Sequence, residues 1–254
     1  MLKKRIIPVQ LLIGGRLVKT IRFDRYKDVG DPVKSSKIYN DCDADELVFL
    51  NIERDNRSIR PLLVLIEKVS EVCFMPLALG GGVVCLEDAV ALIKSGADKV
   101  VLNTACYRDR SLISRIADRF GSQAVFVSID ARFNALTGRY ELYSNCGRGP
   151  EPVSLGEHVE AVTTAGAGEL FINSIDSDGL MQGYDIRLIK IVSELTNIPV
   201  IGCGGAGTFE HMREAFLRTG VSALACGSLF NFGDNNPIRA KAFLSNYDLK
   251  FKVI

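Results

Sequence analysis

Apolar positions along this chain gather in short runs that alternate with stretches of a longer period. Runs rich in Val, Ile, Leu and Phe occur near residues 5–12, 46–52, 76–81, 99–103, 124–130, 168–174, 198–203 and 222–226. They are short and nearly continuous in apolar character, the pattern of a strand buried on both faces. Between them, residues 59–72, 86–95, 111–120, 155–165, 185–195 and 208–217 space their apolar side chains three and four apart, which predicts amphipathic helices. Continuous strands separated by helices predict a parallel sheet covered on its outside. Eight such strands without a Pro/Ser-rich linker predict an α/β fold, one closed (β/α)8 TIM barrel spanning residues 1–254. A doubly wound open sheet is the alternative.

The two halves repeat each other, which favours closure into a ring. Asp45-Glu-Leu-Val-Phe-Leu-Asn-Ile52 is echoed by Gly168-Glu-Leu-Phe-Ile-Asn-Ser-Ile175, at an offset of 168 − 45 = 123. Pro76-Leu-Ala-Leu-Gly-Gly-Gly82 is echoed by Pro199-Val-Ile-Gly-Cys-Gly-Gly205 at the same offset, 199 − 76 = 123. The first strand, ending at Leu11, aligns with the fifth, ending at Asp130, at an offset of 130 − 11 = 119. One half ends that strand in a carboxylate and the other in leucine.

Composition narrows the function. The chain has 254 residues, 47% of them hydrophobic, enough for a large core, and a formal net charge of +1 with 24% charged residues. That balance argues against nucleic acid or a membrane surface as a partner held by bulk electrostatics. Seven cysteines are scattered with no Cys-x-x-Cys pair, which suggests reduced thiols in a cytoplasmic protein and no metal site. The start, Met1-Leu-Lys-Lys-Arg5 followed by an apolar run, mimics a secretory signal, but Pro8 and Gln10 interrupt the run. It reads better as a buried first strand, where Pro8 is awkward because it cannot donate to a ladder. No stretch is long enough to span a membrane.

Barrels of this kind carry chemistry at the C-terminal ends of their strands. Gly80-Gly81-Gly82 ends the third strand and Gly204-Gly205-Ala206-Gly207 the seventh. Glycine lets backbone N–H groups come close to an oxyanion. Each run has a polar neighbour on the next strand, Asn103-Thr104 or Gly227-Ser228, giving two candidate phosphate cradles; the bland reading is tight strand-to-helix turns. Asp130 closes an apolar strand, where desolvation would raise its pKa and suit proton transfer. Alternatively it caps a loop or pairs with Arg132. Asp178-Gly179 either presents a carboxylate or reverses the chain.

Several motifs, taken in order, carry a family resemblance. They are Gly30-Asp-Pro32, Asp45-Glu-Leu-Val-Phe-Leu50, Gly80-Gly-Gly82, Gly96-Ala-Asp-Lys-Val100 and Phe120-Gly-Ser-Gln-Ala-Val125, then Gly166-Ala-Gly-Glu169, Asp176-Ser-Asp-Gly179, Gly183-Tyr-Asp185 and Gly204-Gly-Ala-Gly207. Over nearly its whole length the chain resembles the cyclase subunit of imidazole glycerol phosphate synthase, the HisF family. The resemblance implies a (β/α)8 barrel with a HisH-like glutaminase docked on its N-terminal face. Ammonia would cross the barrel to a bis-phosphorylated ribonucleotide at the other end, with no cofactor. The implied ammonia gate is Arg5, Glu46, Lys99 and Glu169, and Asp98 matches a docking position. Without the resemblance, the four charges would be a salt-bridged plug and Asp98 an ordinary solvated residue. The phosphate residues implied are Gly82, Asn103, Thr104, Asp178, Gly179, Gly204, Gly205, Gly227 and Ser228.

At the mouth the implied catalytic aspartates fall on Asp130, which is present, and Leu11, which cannot exchange a proton. Losing such a group costs about 10²–10⁴ in rate. Asn51, Asn173 and Leu180 also replace family residues, and the loop after the fifth strand reads Cys146-Gly-Arg-Gly-Pro150. Lys19 remains. The departures surround the reacting centre and spare the ammonia entrance. A similar set marks HisF-like subunits of surface-polysaccharide pathways, in which a third, sugar-modifying amidotransferase joins the complex to build acetamidino sugars from glutamine. The expectation is a partner-dependent synthase subunit with doubtful cyclase activity. The alternatives are a histidine-pathway cyclase that tolerates Leu11 and a scaffold that binds the glutaminase without conducting ammonia.

Overall fold

The structure, a computed structural model, describes residues 3–55 and 57–252; Met1 and Leu2 of the signal-like start lie outside the described residues. All eight expected strands form, at Arg5–Ile13, Leu47–Asn51, Leu77–Gly80, Lys99–Leu102, Val125–Asn134, Glu169–Ser174, Val200–Cys203 and Ala223–Cys226. Each pairs in parallel with the next, and the last returns to the first through Arg5↔Ala223 to Pro8↔Cys226. The sheet is a closed barrel. Pro8 is not at an edge, contrary to the usual confinement of proline. It takes the last position paired with the eighth strand, and pairing to the second strand is registered from Val9 onward. The handover between neighbours is where a missing donor disturbs the ladder least.

The six expected helices appear at Arg60–Val69, Leu86–Lys94, Ser111–Phe120, Leu155–Thr164, Ile186–Leu195 and Phe209–Arg218. Two further helices of comparable length, Pro32–Asp41 and Pro237–Ser245, were not foreseen. Their beginnings were readable: Asp31 and Asn236 cap the following backbone, each with a proline in the first turn, the usual pairing of a polar cap and a helix-compatible proline. Among the described residues no helix is long and apolar enough to cross a membrane.

Two hairpins rise from the mouth. The first strand runs past the barrel and folds back through Arg16–Ile21 and Arg25–Gly30, and the fifth does the same through Arg139–Ser144 and Gly149–Glu151. Leu11 pairs with Val18 in one and Asp130 with Tyr143 in the other. The repeat therefore extends beyond the barrel strands into the loops that cover the mouth. Arg25–Gly30 is exposed along most of its length, so it carries none of the apolar pattern from which strands are read.

Alternation along each strand makes two cores. Ile7, Val9, Val48, Ala78, Phe126 and Phe171 belong to the cluster that fills the barrel, with partly buried Leu11 and Leu50 packed against it. Ile6, Leu12, Leu47 and Phe49 face the other way and pack in the outer cluster with Leu62, Ile66 and Val69 of the second helix. Burial on both faces is why the strands read as continuous apolar runs. Inside the ring, Phe126 and Phe171 meet edge to face, with centroids 5.4 Å apart at 78°. Truncating either core should register in denaturant melts. Ile66→Ala is expected to cost about 2–5 kcal/mol and Phe126→Ala about 3–5 kcal/mol; a loss well under 1 kcal/mol for either would contradict this packing.

Candidate functional site

The C-terminal ends of the strands enclose a cavity of about 360 Å³, lined in part by Leu11, Lys19, Asn103, Asp130, Asp178 and Gly204. Its size and mixed lining suit a small ligand. Asp130 is 8% exposed, and burial pushes its carboxyl up to about 7, against the hydrogen bond from Ser128 and with Asp178 adding to the rise. The Ser128 hydroxyl donates to it at 3.3 Å and Asn103 Nδ2 at 3.1 Å. A carboxyl that titrates near neutrality can both take and give a proton. The expected alternative pairing with Arg132 does not form; that guanidinium stacks over Tyr143 and approaches Asp176 at 4.0 Å.

Leu11 lines the same cavity from the opposite half-barrel and continues the apolar interior. The repeat thus places one carboxyl and one isobutyl group in equivalent positions. Other departures have structural work. Asn51 ties down its loop, donating Nδ2 to Ser58 O at 2.9 Å and accepting from Glu53 N–H at 3.0 Å. Asn173 is 8% exposed and lines the cavity, its Oδ1 without a hydrogen-bond partner among the described residues. Cys146 directs its thiol to Ile52 O at 3.7 Å.

The glycine runs are demanded by packing whatever else they do. A Cβ on Gly82 would lie 2.6 Å from the Ser58 carbonyl carbon, and one on Gly205 would lie 1.9 Å from Gly183 O. Both also sit at positive φ, 95° and 99°, so the tight-turn reading holds at both ends of the repeat. Both glycines also line the cavity. Of the polar neighbours, Asn103 turns its amide to Ser128 O and Asp130, while Thr104 Oγ1 accepts the Asn145 N–H at 3.1 Å. Ser228 opens the short helix Ser228–Asn231 beside Gly227.

Lys19 stands next to Gly227. A Cβ there would lie 2.6 Å from Nζ, and Nζ donates to Val9 O. Burial pulls this ammonium down to about 8. Asp178 lines the cavity and also fastens the first hairpin, accepting from the Thr20 hydroxyl at 2.7 Å and Phe23 N–H at 3.1 Å. Gly179 packs under the same hairpin, where a Cβ would meet Thr20 O at 2.1 Å. Asp178 thus does present a carboxylate, to its own hairpin.

Sequence reading missed the loop after the second strand. Arg54 and Arg57 line the cavity. Arg54 Nη2 donates to Phe23 O at 2.9 Å and Asp24 O at 3.1 Å, while Arg57 donates Nε to Glu53 O at 2.6 Å and Nη2 to Asn145 Oδ1 at 3.0 Å. The signal was Glu53-Arg-Asp-Asn-Arg57 directly after a strand end, where a barrel places its working loops.

At the opposite face four charges close the barrel. Arg5 bridges Glu46 and Glu169 at 2.9 Å each, and Lys99 bridges Glu46 at 2.7 Å and Glu169 at 2.9 Å. The ring alternates in sign and every member has two partners. Burial opposes the charge on Arg5, but Glu169 and Glu46 outweigh it and hold its pKa above the usual value. Glu46 is 2% exposed, and burial pushes its pKa upward despite Lys99 and Arg5. Lys99 Nζ also stands 5.5 Å from the Phe126 ring centroid, so the ring sits directly beneath the apolar interior.

Asp98 lies beside this ring, exposed, with one oxygen accepting the Leu77 N–H at 2.8 Å. Asp45 does the same for Ile6 N–H at 2.7 Å, but Lys241 covers it at 2.8 Å. Of the two equivalent carboxylates, only that of Asp98 is open to solvent. Phe74, just before the third strand on this face, is 82% exposed, its N–H donating to Asn40 Oδ1 at 2.9 Å.

The fold is a closed (β/α)8 barrel with a cavity of mixed lining at its C-terminal mouth and glycine turns on opposite sides. The profile of the family described as "Histidine biosynthesis protein" matches residues 5–236. The chain is 42% identical over 245 residues to "Imidazole glycerol phosphate synthase subunit HisF" of Hyphomonas neptunium, covering 96% of each. It is 43% identical over 232 residues to "Putative imidazole glycerol phosphate synthase subunit hisF2" of Pseudomonas aeruginosa, covering 91% of this chain and 92% of that one. The chain belongs to the HisF family.

The Asp130 carboxyl has a readable consequence for stability. Its folded pKa, about 7, lies above the ordinary 3.8, so the folded protein keeps a proton that the unfolded chain releases. Stability therefore falls as pH rises between those values and levels off above the upper one. Asp130→Asn is expected to stabilise the protein by roughly 2–4 kcal/mol near pH 8, the gain fading toward about pH 4. Denaturant melts across pH check this; a difference independent of pH would contradict the buried carboxyl.

Proposed function

We propose that the protein is a HisF-like synthase subunit that docks a glutaminase on its N-terminal face, stimulates it, and passes the ammonia through the barrel to a phosphorylated acceptor at the C-terminal mouth. The observation that carries this reading is the contrast between the two ends. The charged ring at the entrance is complete, whereas the proton-transfer pair at the exit has Asp130 and Leu11 in its two places. A single carboxyl can relay one proton, but it cannot work as an acid and a base across the acceptor at once. The subunit would therefore have kept ammonia handling and given up the original ring closure. The family cyclase is the reading's ancestor, and the free thiols fit work in the cytoplasm.

The departures at Leu11, Asn51, Asn173 and Leu180 support a changed acceptor. We place it in surface-polysaccharide synthesis, as the precursor of an acetamidino sugar aminated with a third amidotransferase. The second reading, a histidine-pathway cyclase, has the name of the Hyphomonas relative in its favour. An ammonia-dependent cyclisation assay on the purified chain separates the two, together with rescue of a histidine auxotroph lacking its cyclase. No turnover and no rescue are expected, a loss of at least about 10² in rate. Leu11→Asp alone should recover little, because Asn51 and Asn173 also shape the cavity. Robust turnover would establish the histidine cyclase instead.

Docking rests on Asp98 and Phe74. An exposed aromatic beside an uncovered carboxylate fits a partner surface with an apolar pocket flanked by a cation. A stable complex would bury on the order of 1,200–2,000 Å². Phe74→Ala should weaken glutaminase binding by about 2 kcal/mol, and Asp98→Ala should lower stimulation of glutamine hydrolysis, with circular dichroism unchanged. Binding and stimulation at wild-type levels in both variants would remove the glutaminase from this face.

A further inference from the structure

The two mouth cradles are related by the repeat, but their charges are not. Thr104 of the first and Gly227 of the second differ by 227 − 104 = 123, the offset of the repeat. At the second, Lys19 brings its amine against Gly227. The hairpin registers identify the residue that holds the twin position. Leu11 pairs with Val18 and Asp130 with Tyr143, so the next residues along, Lys19 and Ser144, are equivalent. Ser144 is fully buried, neutral, and hydrogen-bonded to Glu151. The first cradle has serine where its twin has a cation. An anion seated there would lie near the Asp130 carboxyl without a cation at the position equivalent to Lys19, the hairpin's Arg148 being exposed and outside the cavity lining, an arrangement that electrostatics disfavours.

Arg57 reaches the same place from a different loop. Its neighbour Ser58 supplies the backbone against which Gly82 packs, with a Cβ on Gly82 only 2.6 Å from it. The arginine is thereby anchored beside the glycine turn. Arg57 Nη2 donates to Asn145 Oδ1 at 3.0 Å, and the Asn145 N–H donates to Thr104 Oγ1 at 3.1 Å. Asn145 directly follows Ser144, so the residue that lost the charge adjoins the one that holds its replacement. The chain from Arg57 through Asn145 to Thr104 links the guanidinium to the polar side of the cradle. We propose that Arg57 is the anion-binding cation of the first cradle, taking the place of the lysine missing from the repeat. With Gly82 and Thr104 it would recognise a phosphate group of the acceptor. A guanidinium offers two parallel donors to a phosphate, which an ammonium does not. Arg54 is tied instead to Phe23 and Asp24 of the first hairpin; Arg213, paired with Glu210 on the outer helix Phe209–Arg218, serves as the control.

This inference rests on reading Gly82, Asn103 and Thr104 as a phosphate cradle, and one experiment separates the two. Inorganic phosphate is titrated into the full ¹⁵N-labelled chain while the backbone amides of Gly82 and Thr104 are followed by NMR. The wild type should show saturable shifts at both. Arg57→Ala should bind about tenfold or more weakly, Arg57→Lys should fall between, and Arg213→Ala should stay within about twofold of wild type. The spectra away from the mouth report whether each variant is folded. Wild-type affinity in Arg57→Ala, with Gly82 and Thr104 still shifting, would overturn the role of Arg57 and leave the cradle standing. No shift in the wild type would overturn the cradle itself, and the inference with it.

Discussion

Arg5, Glu46, Lys99 and Glu169 hold one another in a closed ring at the N-terminal end of the barrel. Alternation of sign is what makes such a ring tolerable. Each charge loses water on burial, and only two opposite partners at hydrogen-bond distance repay that loss. Remove any one and two like charges face a single partner in a poorly solvated place. Above the ring the interior is apolar, with Phe126 and Phe171 meeting edge to face in the cluster that fills it. The proposed passage therefore depends on a plug that is neutral as a whole and openable in part.

From that floor the structure can be followed as one half-barrel used twice and then edited. Strand ends, hairpins and glycine turns correspond across the repeat, and differences between the halves fall at the mouth as well as in the charged ring, where Arg5 and Lys99 have Ala124 and Ser222 as counterparts. Leu11 against Asp130 removes an acid. Ser144 against Lys19 removes a base, at the twin of a position where the base persists. Arg57, held by Asn145, puts a positive charge back. Such differences change the charge of the cavity lining while leaving the outer packing of strands and helices intact.

The barrel was legible because its strands are buried on both faces and its helices on one. Those two periods are distinct in sequence. The hairpins were not legible: Arg25–Gly30 has no apolar face, and its pairing is fixed by the first strand rather than by its own residues. Asp130 could be singled out because a carboxylate ending an apolar run must be desolvated. Leu11 became informative only when set beside Asp130 through the repeat. Arg57 escaped, since an arginine in a polar loop looks solvated until the fold brings Asn145, 88 residues away, against it. Asp98 and Asp45 show the same limit. Both precede strands and cap a neighbour's N–H, and only the tertiary position of Lys241 tells which one is covered.

The central claim is that ammonia enters through the charged ring and stays inside the barrel. Glutamine labelled with ¹⁵N in its side-chain amide, given to the complete complex, allows the label to be counted both in solvent ammonium and in the aminated acceptor. With the wild type the label should pass mainly to the acceptor. With Arg5→Ala, still folded and still supporting glutamine hydrolysis, the account expects most of it in solvent. An unchanged partition in that variant would show that the four charges are a structural plug and that ammonia does not travel past them.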